Sequence, residues 1–326
     1  MNNVRQALSR GLSWFGLLAL CASVQAADYP SKTIRIIVPF APGGVVDTTI
    51  RNVTPKLSER LGQSIVIENR PGANGSIAAL AVVQAPADGY TLLAGFDGTL
   101  VINPHVYTKL SYDSLRDFVP ITKVGNASLV LAANPNFKYR NLRDLLLFGK
   151  SNGEPIAYGT SGTGSTTHLA GELLSQRTGL PLQHVPYKGG GPAVTDAVAG
   201  QIPLVFTGIA SALQFIKSGR LIALGVSDPQ RSAALPSVPT FIESGVPDFD
   251  VHSWVGLLAP AGTAPAIVER LHKETAAVLA LPDVRERLAA LGIEPVGNTP
   301  REFAAQIRSE LMRWAKVVKA AKIELE

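Results

Sequence analysis

The chain has 326 residues, of which 46% are hydrophobic and 17% charged, and its net charge at pH 7 is +5. This composition excludes a disordered chain, and the length predicts one or two globular domains. The single cysteine, Cys21, excludes a disulfide scaffold and a cysteine-based zinc site, and no cluster of lysine and arginine residues indicates a nucleic-acid-binding protein.

Residues 1–26 have the pattern of a secretory signal peptide. A positive N-terminal region precedes the apolar stretch 12–24, and Val24-Gln25-Ala26 fits the end of a cleavage site. The apolar stretch is shorter than the roughly 20 residues that span a bilayer. We therefore expect cleavage after residue 26 and a mature protein outside the cytoplasm. Lipid attachment to Cys21 is an alternative, but bulky Leu20 stands where lipoproteins need a small residue.

Strand-like and helix-like segments alternate along the rest of the chain. The predicted strands are 33–38, 64–68, 90–94, 129–133, 156–158, 183–186, 202–207 and 221–226. The predicted helices are 46–61, 76–83, 142–150, 165–177, one helix between the strands 183–186 and 202–207, and most of the tail 265–321. This alternation predicts an α/β fold with largely parallel sheets. No linker separates two domains, so we expect the chain to cross between them on strands, which suits a hinge.

The loop 39–47 follows the first predicted strand. Gly43 and Gly44 free the backbone just before a helix, whose exposed amide groups and dipole favour an anion. Asp47 lies in the first turn of that helix, where capping is the simpler interpretation and ligand contact the alternative.

The loop 159–167 nearly matches the phosphate-binding pattern G-x-x-x-x-G-K-[ST]. Ser165 stands where that pattern has its lysine, which argues against a nucleotide triphosphate. The remaining cradle of amide and hydroxyl groups before a helix suits a carboxylate. An ordinary helix cap is the alternative, although a cap needs only one hydroxyl group.

The loop 96–99 follows the third predicted strand, at a strand end where ligands bind in open α/β sheets. Phe96 could stack on a ring or an aliphatic chain. Asp97 could accept a hydrogen bond from a ligand or cap the next segment, and the sequence leaves both open. None of the three loops contains lysine or arginine, so we expect an anion to be held by dipoles and hydrogen bonds.

Catalytic interpretations find little support. A hydrolase would use Ser161 or Ser165 with His168, but Thr163 breaks the G-x-S-x-G pattern and no partner carboxylate is evident. The five histidines lack metal-ligand spacing, and a lone histidine such as His168 is more often structural. We therefore assign no catalytic residue, metal or cofactor. Lys188 could reach a ligand or remain solvated.

Several segments resemble the Bug family, the extracytoplasmic substrate-binding proteins of tripartite tricarboxylate transporters. The matching segments are PFAPGG (39–44) with Asp47, ENRPGA (68–73), DGYTLL (88–93), 103–104, 158–170, VPYKG (185–189), ALPSVPT (234–240), 253–254 and APAGT (259–263). They occur in order over essentially the whole mature chain, which makes the resemblance specific.

The resemblance implies a monomeric, two-lobed periplasmic binding protein of the second structural type, with the ligand cleft between the lobes. Lobe 1 would comprise 27–125 and 229–326, and lobe 2 would comprise 126–228. The ligand would be a di- or tricarboxylate or an aromatic acid, and the closed form would deliver it to the membrane permease of the transporter. A binding protein that reports to a sensor kinase is the alternative.

The expected ligand-binding residues combine the three loops with a fourth strand end. They are Phe40, Ala41, Gly43, Gly44, Asp47, Phe96, Asp97, Gly98, Thr99, Thr160, Ser161, Gly162, Thr163, Ser165, His168, Thr207 and Gly208. Three positions differ from the pattern expected for the family. Pro203 stands where the family usually has an acidic residue, and Thr207-Gly208 stands where an Asp-Asn pair is frequent. Phe96-Asp97 stands where a pair of small, neutral residues is expected. We hypothesise that Phe96 and Asp97 select an aromatic, amino- or hydroxy-bearing acid.

Overall fold

The structure is a computed structural model that describes residues 29–148 and 153–321. The predicted signal peptide, residues 1–26, and the alternative lipid site at Cys21 lie outside the described residues. The end of the helix predicted over 142–150 also lies outside them.

Strands and helices alternate through most of the described chain. The strands are β1 (Ile34–Val38), β2 (Ile65–Asn69), β3 (Thr91–Phe96), β4 (Phe118–Ala127), β5 (Leu129–Ala133), β6 (Ile156–Thr160), β7 (Leu182–Pro186), β8 (Leu204–Gly208), β9 (Ile222–Val226), β10 (Ser253–Pro260) and β11 (Ile293–Pro295). The α-helices are α1 (Val45–Leu61), α2 (Ser76–Val83), α3 (Asn103–Val106), α4 (Leu142–Phe148), α5 (Thr166–Thr178), α6 (Gly190–Ala199), α7 (Ile209–Lys217), α8 (Pro265–Leu279), α9 (Pro282–Ala289) and α10 (Pro300–Ala321). A π-helical turn (Gly98–Ile102) follows β3.

The strands form two mixed sheets. One has six strands in the order β11-β4-β10-β3-β1-β2, and the other has five in the order β7-β6-β8-β5-β9. β1 pairs in parallel with β2 and β3, whereas β10 is antiparallel to β3 and β4, and β5 is antiparallel to β8 and β9. The expectation of largely parallel sheets is therefore wrong. The direction of a strand depends on how the chain re-enters each sheet, and the local pattern of apolar residues does not show whether a strand is parallel or antiparallel to its neighbours.

The chain passes from the six-stranded to the five-stranded sheet on consecutive strands, as the sequence predicts, whereas its return runs through a segment without strands. β4 ends at Ala127 in the first sheet, and β5 begins at Leu129 in the second. The chain returns through 227–252, where Phe241 and Phe249 stack at 4.3 Å in the core under the five-stranded sheet. The lobe limits 27–125, 126–228 and 229–326 stay a prediction.

Each face of the six-stranded sheet is covered by helices. Apolar residues of α1, such as Ile50 and Leu57, pack on one face with α8 and α9, and α2 and α10 cover the other. Trp254 on β10 is buried against Phe303 of α10 and donates a 2.7 Å hydrogen bond to Glu310, so it is a core residue and not a wall of the cleft. No described helix is long and apolar enough to span a membrane.

Candidate ligand-binding site

The loops that follow β1, β6 and β8 meet between the two sheets around a cavity, which we call the inner cavity. Its volume is about 20 Å³, which is room for about one water molecule, so its walls lie close together in this arrangement. It is lined by Phe40, Gly44, Val45, Val46, Phe96, Leu129, Ser161, Thr167, Gly190, Thr207, Gly208, Ser211 and Ser253. None of these lining residues carries a charge.

Four helices begin at the inner cavity. Gly44 caps α1, Thr167 lies in the first turn of α5, Gly190 is the first residue of α6, and Gly208 caps α7. Helix N-termini carry partial positive charge and free amide groups. Four of them around an uncharged wall can stabilise negative charge without a cationic side chain.

A second, outer cavity of about 550 Å³ lies on the other side of Phe40 and Ser161, which line both cavities. Its walls are Phe40, Ala41, Pro71, Gly72, Ala73, Asn74, Tyr107, Ser161, Gly162, Thr163, Pro186, Tyr187, Lys188 and Pro192. Among the described residues that line either cavity, Lys188 is the only charged one. A ligand that spans both cavities would therefore meet a cation only at its outer end.

The two sheet units touch each other across the cleft. The amide of Ala41 donates a 3.0 Å hydrogen bond to the carbonyl oxygen of Lys188. A Cβ on Gly208 would lie 1.9 Å from Val45 Cγ2, and one on Gly191 would lie 2.5 Å from the oxygen of Pro42. These approaches require glycine, and they define a closed arrangement of the cleft.

The predicted site residues divide into two groups. Those that line one or both of the cavities are Phe40, Ala41, Gly44, Phe96, Ser161, Gly162, Thr163, Thr207 and Gly208. Those that line neither are Gly43, Asp47, Asp97, Gly98, Thr99, Thr160, Ser165 and His168. Gly190 and Ser211 were not predicted, although each lies at the start of a helix, a position that indicates anion binding in the other loops. Ser253 and Leu129 reach the inner cavity only through the tertiary fold.

Asp47 organises the loop after β1. Its carboxylate accepts hydrogen bonds from Gly43 N (3.0 Å), Arg51 Nε (3.0 Å) and Asn69 Nδ2 (2.9 Å). Burial alone would raise the pKa of Asp47, but these hydrogen bonds and the charge of Arg51 hold the pKa below its ordinary value. The contacts support the capping interpretation.

Asp97 joins three elements beneath the cleft. It is 1% exposed, its Oδ1 accepts a 2.6 Å hydrogen bond from Ser253, and its Oδ2 accepts one of 2.6 Å from Thr166. Burial raises the pKa of Asp97 to about 7, the two hydroxyl donors oppose that rise, and the charge of Glu310 adds to it. Both oxygens thus have protein partners.

His168 lies beneath the loop that follows β6. Its Nδ1 accepts a 3.1 Å hydrogen bond from the amide of Gly164, and its ring stacks on that of His184 with 3.8 Å between centroids. Burial and the neighbouring His184 lower the pKa of His168 to about 3. The carboxylate of Glu172, which the sequence analysis did not identify, lies 3.6 Å from Nε2.

This arrangement differs from that of a serine hydrolase. Ser165 Oγ accepts from the backbone amide of His168 and shares a 2.9 Å hydrogen bond with Thr167. Within the part of the chain that the structure describes, no hydrogen bond joins the imidazole to Ser161 or Ser165. The same part holds no group of three potential metal ligands.

Comparison with known proteins places the chain in a family. Residues 49–323 match the model described as "Tripartite tricarboxylate transporter family receptor". The chain belongs to this family. The predicted Bug-family membership is thereby confirmed, and so is the α/β fold of a two-lobed periplasmic binding protein.

Solved structures of related proteins share the fold over almost their whole length. The periplasmic binding protein BugD is 33% identical, with a TM-score of 0.87 over 91% of this chain and 100% of that chain. Rpa4515 of R. palustris with adipate is 34% identical, with a TM-score of 0.88 over 91% and 99%. MatC (Rpa3494) of Rhodopseudomonas palustris with bound malate is 33% identical, with a TM-score of 0.83 over 89% and 100%.

Proposed function

We propose that the protein is a periplasmic solute-binding protein that captures a small carboxylate between its lobes and delivers it to a tripartite tricarboxylate transporter. The observation that carries this proposal is the inner cavity, where four helix N-termini surround a wall without charged residues. Such a site stabilises an anion through dipoles and hydrogen bonds. The adipate and malate bound by two neighbours support a dicarboxylate.

Closure of the cleft is the working step of this function. A ligand shifts the protein toward the closed form only by the difference of its affinities for the two forms. Contacts from both sheet units, such as those of Gly44 and Thr207, supply this difference because they reach one ligand together only when the cleft is closed. The protein acts as a monomer, and the permease recognises its closed form.

The outer cavity supports a ligand with two charged ends. Lys188 is exposed, and it lies beside the cavity that adjoins the anion site. A dicarboxylate would place one carboxylate in the inner cavity and direct the other past Phe40 and Ser161 toward the lysine.

Binding without chemical conversion is the expected outcome at this site. The ring nitrogens of His168 face Gly164 and Glu172, and neither faces a serine hydroxyl. A general base must reach the proton that it removes. We infer that the protein is not an enzyme and releases its ligand unchanged.

A thermal-shift screen of the mature protein tests the function. The panel would contain dicarboxylates, tricarboxylates, aromatic acids and amino acids. A ligand at 100 times its Kd stabilises a protein by about 2.7 kcal/mol, which is a shift of a few degrees for a chain of this size. We expect a dicarboxylate to raise Tm and to be recovered unchanged by mass spectrometry. Absence of a shift with every carboxylate would contradict the proposal.

Delivery to the transporter is tested in cells. Removal of the gene for this chain is expected to abolish uptake of the bound acid, and expression of the chain to restore it. Normal uptake without the chain would show that binding serves another purpose, such as sensing.

A further inference from the structure

We propose that the hydroxyl groups of Ser161, Thr207 and Ser211 form the binding site for one carboxylate group of the ligand, beside Gly190 in the wall of the inner cavity. This inference rests on the proposed function, and it names the side chains that would recognise the ligand.

Two of these hydroxyl groups are buried without a partner. Thr207 is 0% exposed and Ser211 is 9% exposed, and both line the inner cavity. Neither Thr207 Oγ1 nor Ser211 Oγ has a hydrogen-bond partner among the described residues. Buried hydroxyl groups are normally satisfied, because leaving one unpaired destabilises the fold. Two such groups on one cavity wall therefore indicate a partner that enters the cavity.

The three hydroxyl groups converge on one point. A Cβ built on Gly190 would lie 2.6 Å from Thr207 Oγ1, 3.2 Å from Ser211 Oγ and 3.6 Å from Ser161 Oγ. Gly190 has a helical backbone without a positive φ, so its conformation alone does not require glycine. The close approach of Thr207 Oγ1 requires glycine instead, and it lets the three hydroxyl groups gather at the start of α6, where a ligand oxygen would lie beside them.

The chemistry of this point favours an oxyanion. Hydroxyl groups donate or accept, but the N-termini of α6 and α7 at the same wall favour negative charge. A carboxylate oxygen accepts several hydrogen bonds, and bonds to an ionised acceptor are stronger than neutral ones. A ligand ammonium group would be repelled there, because its positive charge would face the positive ends of the helix dipoles.

Calorimetric titration of the mature protein with adipate, with malate and with any carboxylate found in the thermal-shift screen tests the inference. Thr207→Val and Ser211→Ala are each expected to weaken binding about tenfold or more, because each removes a hydrogen bond to a charged group. Gly190→Ala would place a methyl group 2.6 Å from Thr207 Oγ1, displace that hydroxyl group and abolish binding. Thr207→Ser, which keeps the hydroxyl group, should bind within about threefold of the wild type on the same scale. Ser218→Ala, exposed at the end of α7, is the matched control and should have no effect.

The melting temperature without ligand separates recognition from folding. Thr207→Val removes an unpartnered buried hydroxyl group, so its ligand-free Tm should equal or exceed that of the wild type. Reduced affinity with an undiminished Tm supports the inference, and loss of both in Thr207→Val and Ser211→Ala overturns it.

Two further outcomes separate this inference from the proposed function. A wild type that binds a carboxylate, with Thr207→Val and Ser211→Ala binding equally well, overturns the hydroxyl site alone. A wild type that binds no carboxylate overturns the proposed function and this inference with it.

Discussion

The hydroxyl group of Thr166 donates a 2.6 Å hydrogen bond to the buried carboxylate of Asp97. Thr166 is the first residue of α5 beside the five-stranded sheet, and Asp97 follows β3 of the six-stranded sheet. The bond therefore connects the two units beneath the cleft, and neither residue lines a cavity. With the bond from Ala41 to Lys188, it stabilises the closed arrangement.

Thr166→Val should weaken binding of every ligand alike. Loss of this hydrogen bond costs the closed form about 1–3 kcal/mol, or roughly five- to a hundredfold in affinity. Calorimetry with several acids measures the effect, and Thr195→Val on the exposed face of α6 is the control. If Asp97 selects the ligand, as we hypothesise from the sequence, Asp97→Asn should change the order of affinities among the acids, whereas Thr166→Val should leave that order unchanged.

Gly208→Ala should prevent complete closure. The added methyl group would lie 1.9 Å from Val45 Cγ2 on the opposite side of the cleft. Overpacking of this kind costs about 1–3 kcal/mol, so we expect weaker binding and a larger radius of gyration with ligand in small-angle scattering. The double variant Gly208→Ala/Val45→Ala removes the clash and should close again. Wild-type affinity in the single variant would show that closure does not bring these residues together.

Lys188→Gln should reduce affinity for dicarboxylates more than for monocarboxylates. An exposed ion pair contributes about 0.2–1 kcal/mol, so the expected loss is at most about fivefold, and it should shrink at high salt. Lys217→Gln, an exposed lysine of α7, is the control for net charge. Equal losses of affinity for dicarboxylates and monocarboxylates would show that the second carboxylate of a dicarboxylate does not lie near Lys188.

Stability should decrease as the pH falls below 6.5. Burial lowers the pKa of His168 to about 3 and that of His184 to about 4, from 6.5. The unfolded chain thus binds protons that the folded protein excludes, and the stability present above pH 6.5 is lost progressively toward pH 4 and below. Urea unfolding at pH 4.5 and 7 measures the loss, which His184→Gln should reduce.

The titration of Asp97 changes the stability of the fold in the opposite direction over the same pH range. Its pKa is raised from 3.8 to about 7, so the folded protein holds a proton there that the unfolded chain has released. The stability that this proton provides is complete below pH 3.8 and is lost as the pH rises to about 7. Asp97→Asn should therefore steepen the rise in stability between pH 4.5 and 7, and an unchanged slope would contradict the raised pKa.

Local signals in the sequence predicted many elements of the fold. The helix predicted over 46–61 is α1, and Gly62 ends it in the left-handed conformation with a φ of 68°. Ser165 caps the N-terminus of α5, a position that serine favours because its hydroxyl group accepts a hydrogen bond from a backbone amide of the first turn. These features depend on a few neighbouring residues, so the chain records them directly. The sequence also indicated an anion site without cations, since glycine and hydroxyl residues precede several helices.

The sequence by itself thus determined many of the elements, the family and the loops that meet at the cleft, whereas β4, β10 and β11 were not predicted. Only the tertiary structure decided which side chains line the cavities. Asp97 and Ser253 are 156 residues apart, yet they share a hydrogen bond that turns the carboxylate away from the cavities. Ser161 follows β6, whereas Thr207 lies in β8 and Ser211 in α7, and their convergence on Gly190 depends on how the strands of one sheet are ordered. Local sequence encodes backbone preference, whereas long-range packing sets the direction of each side chain.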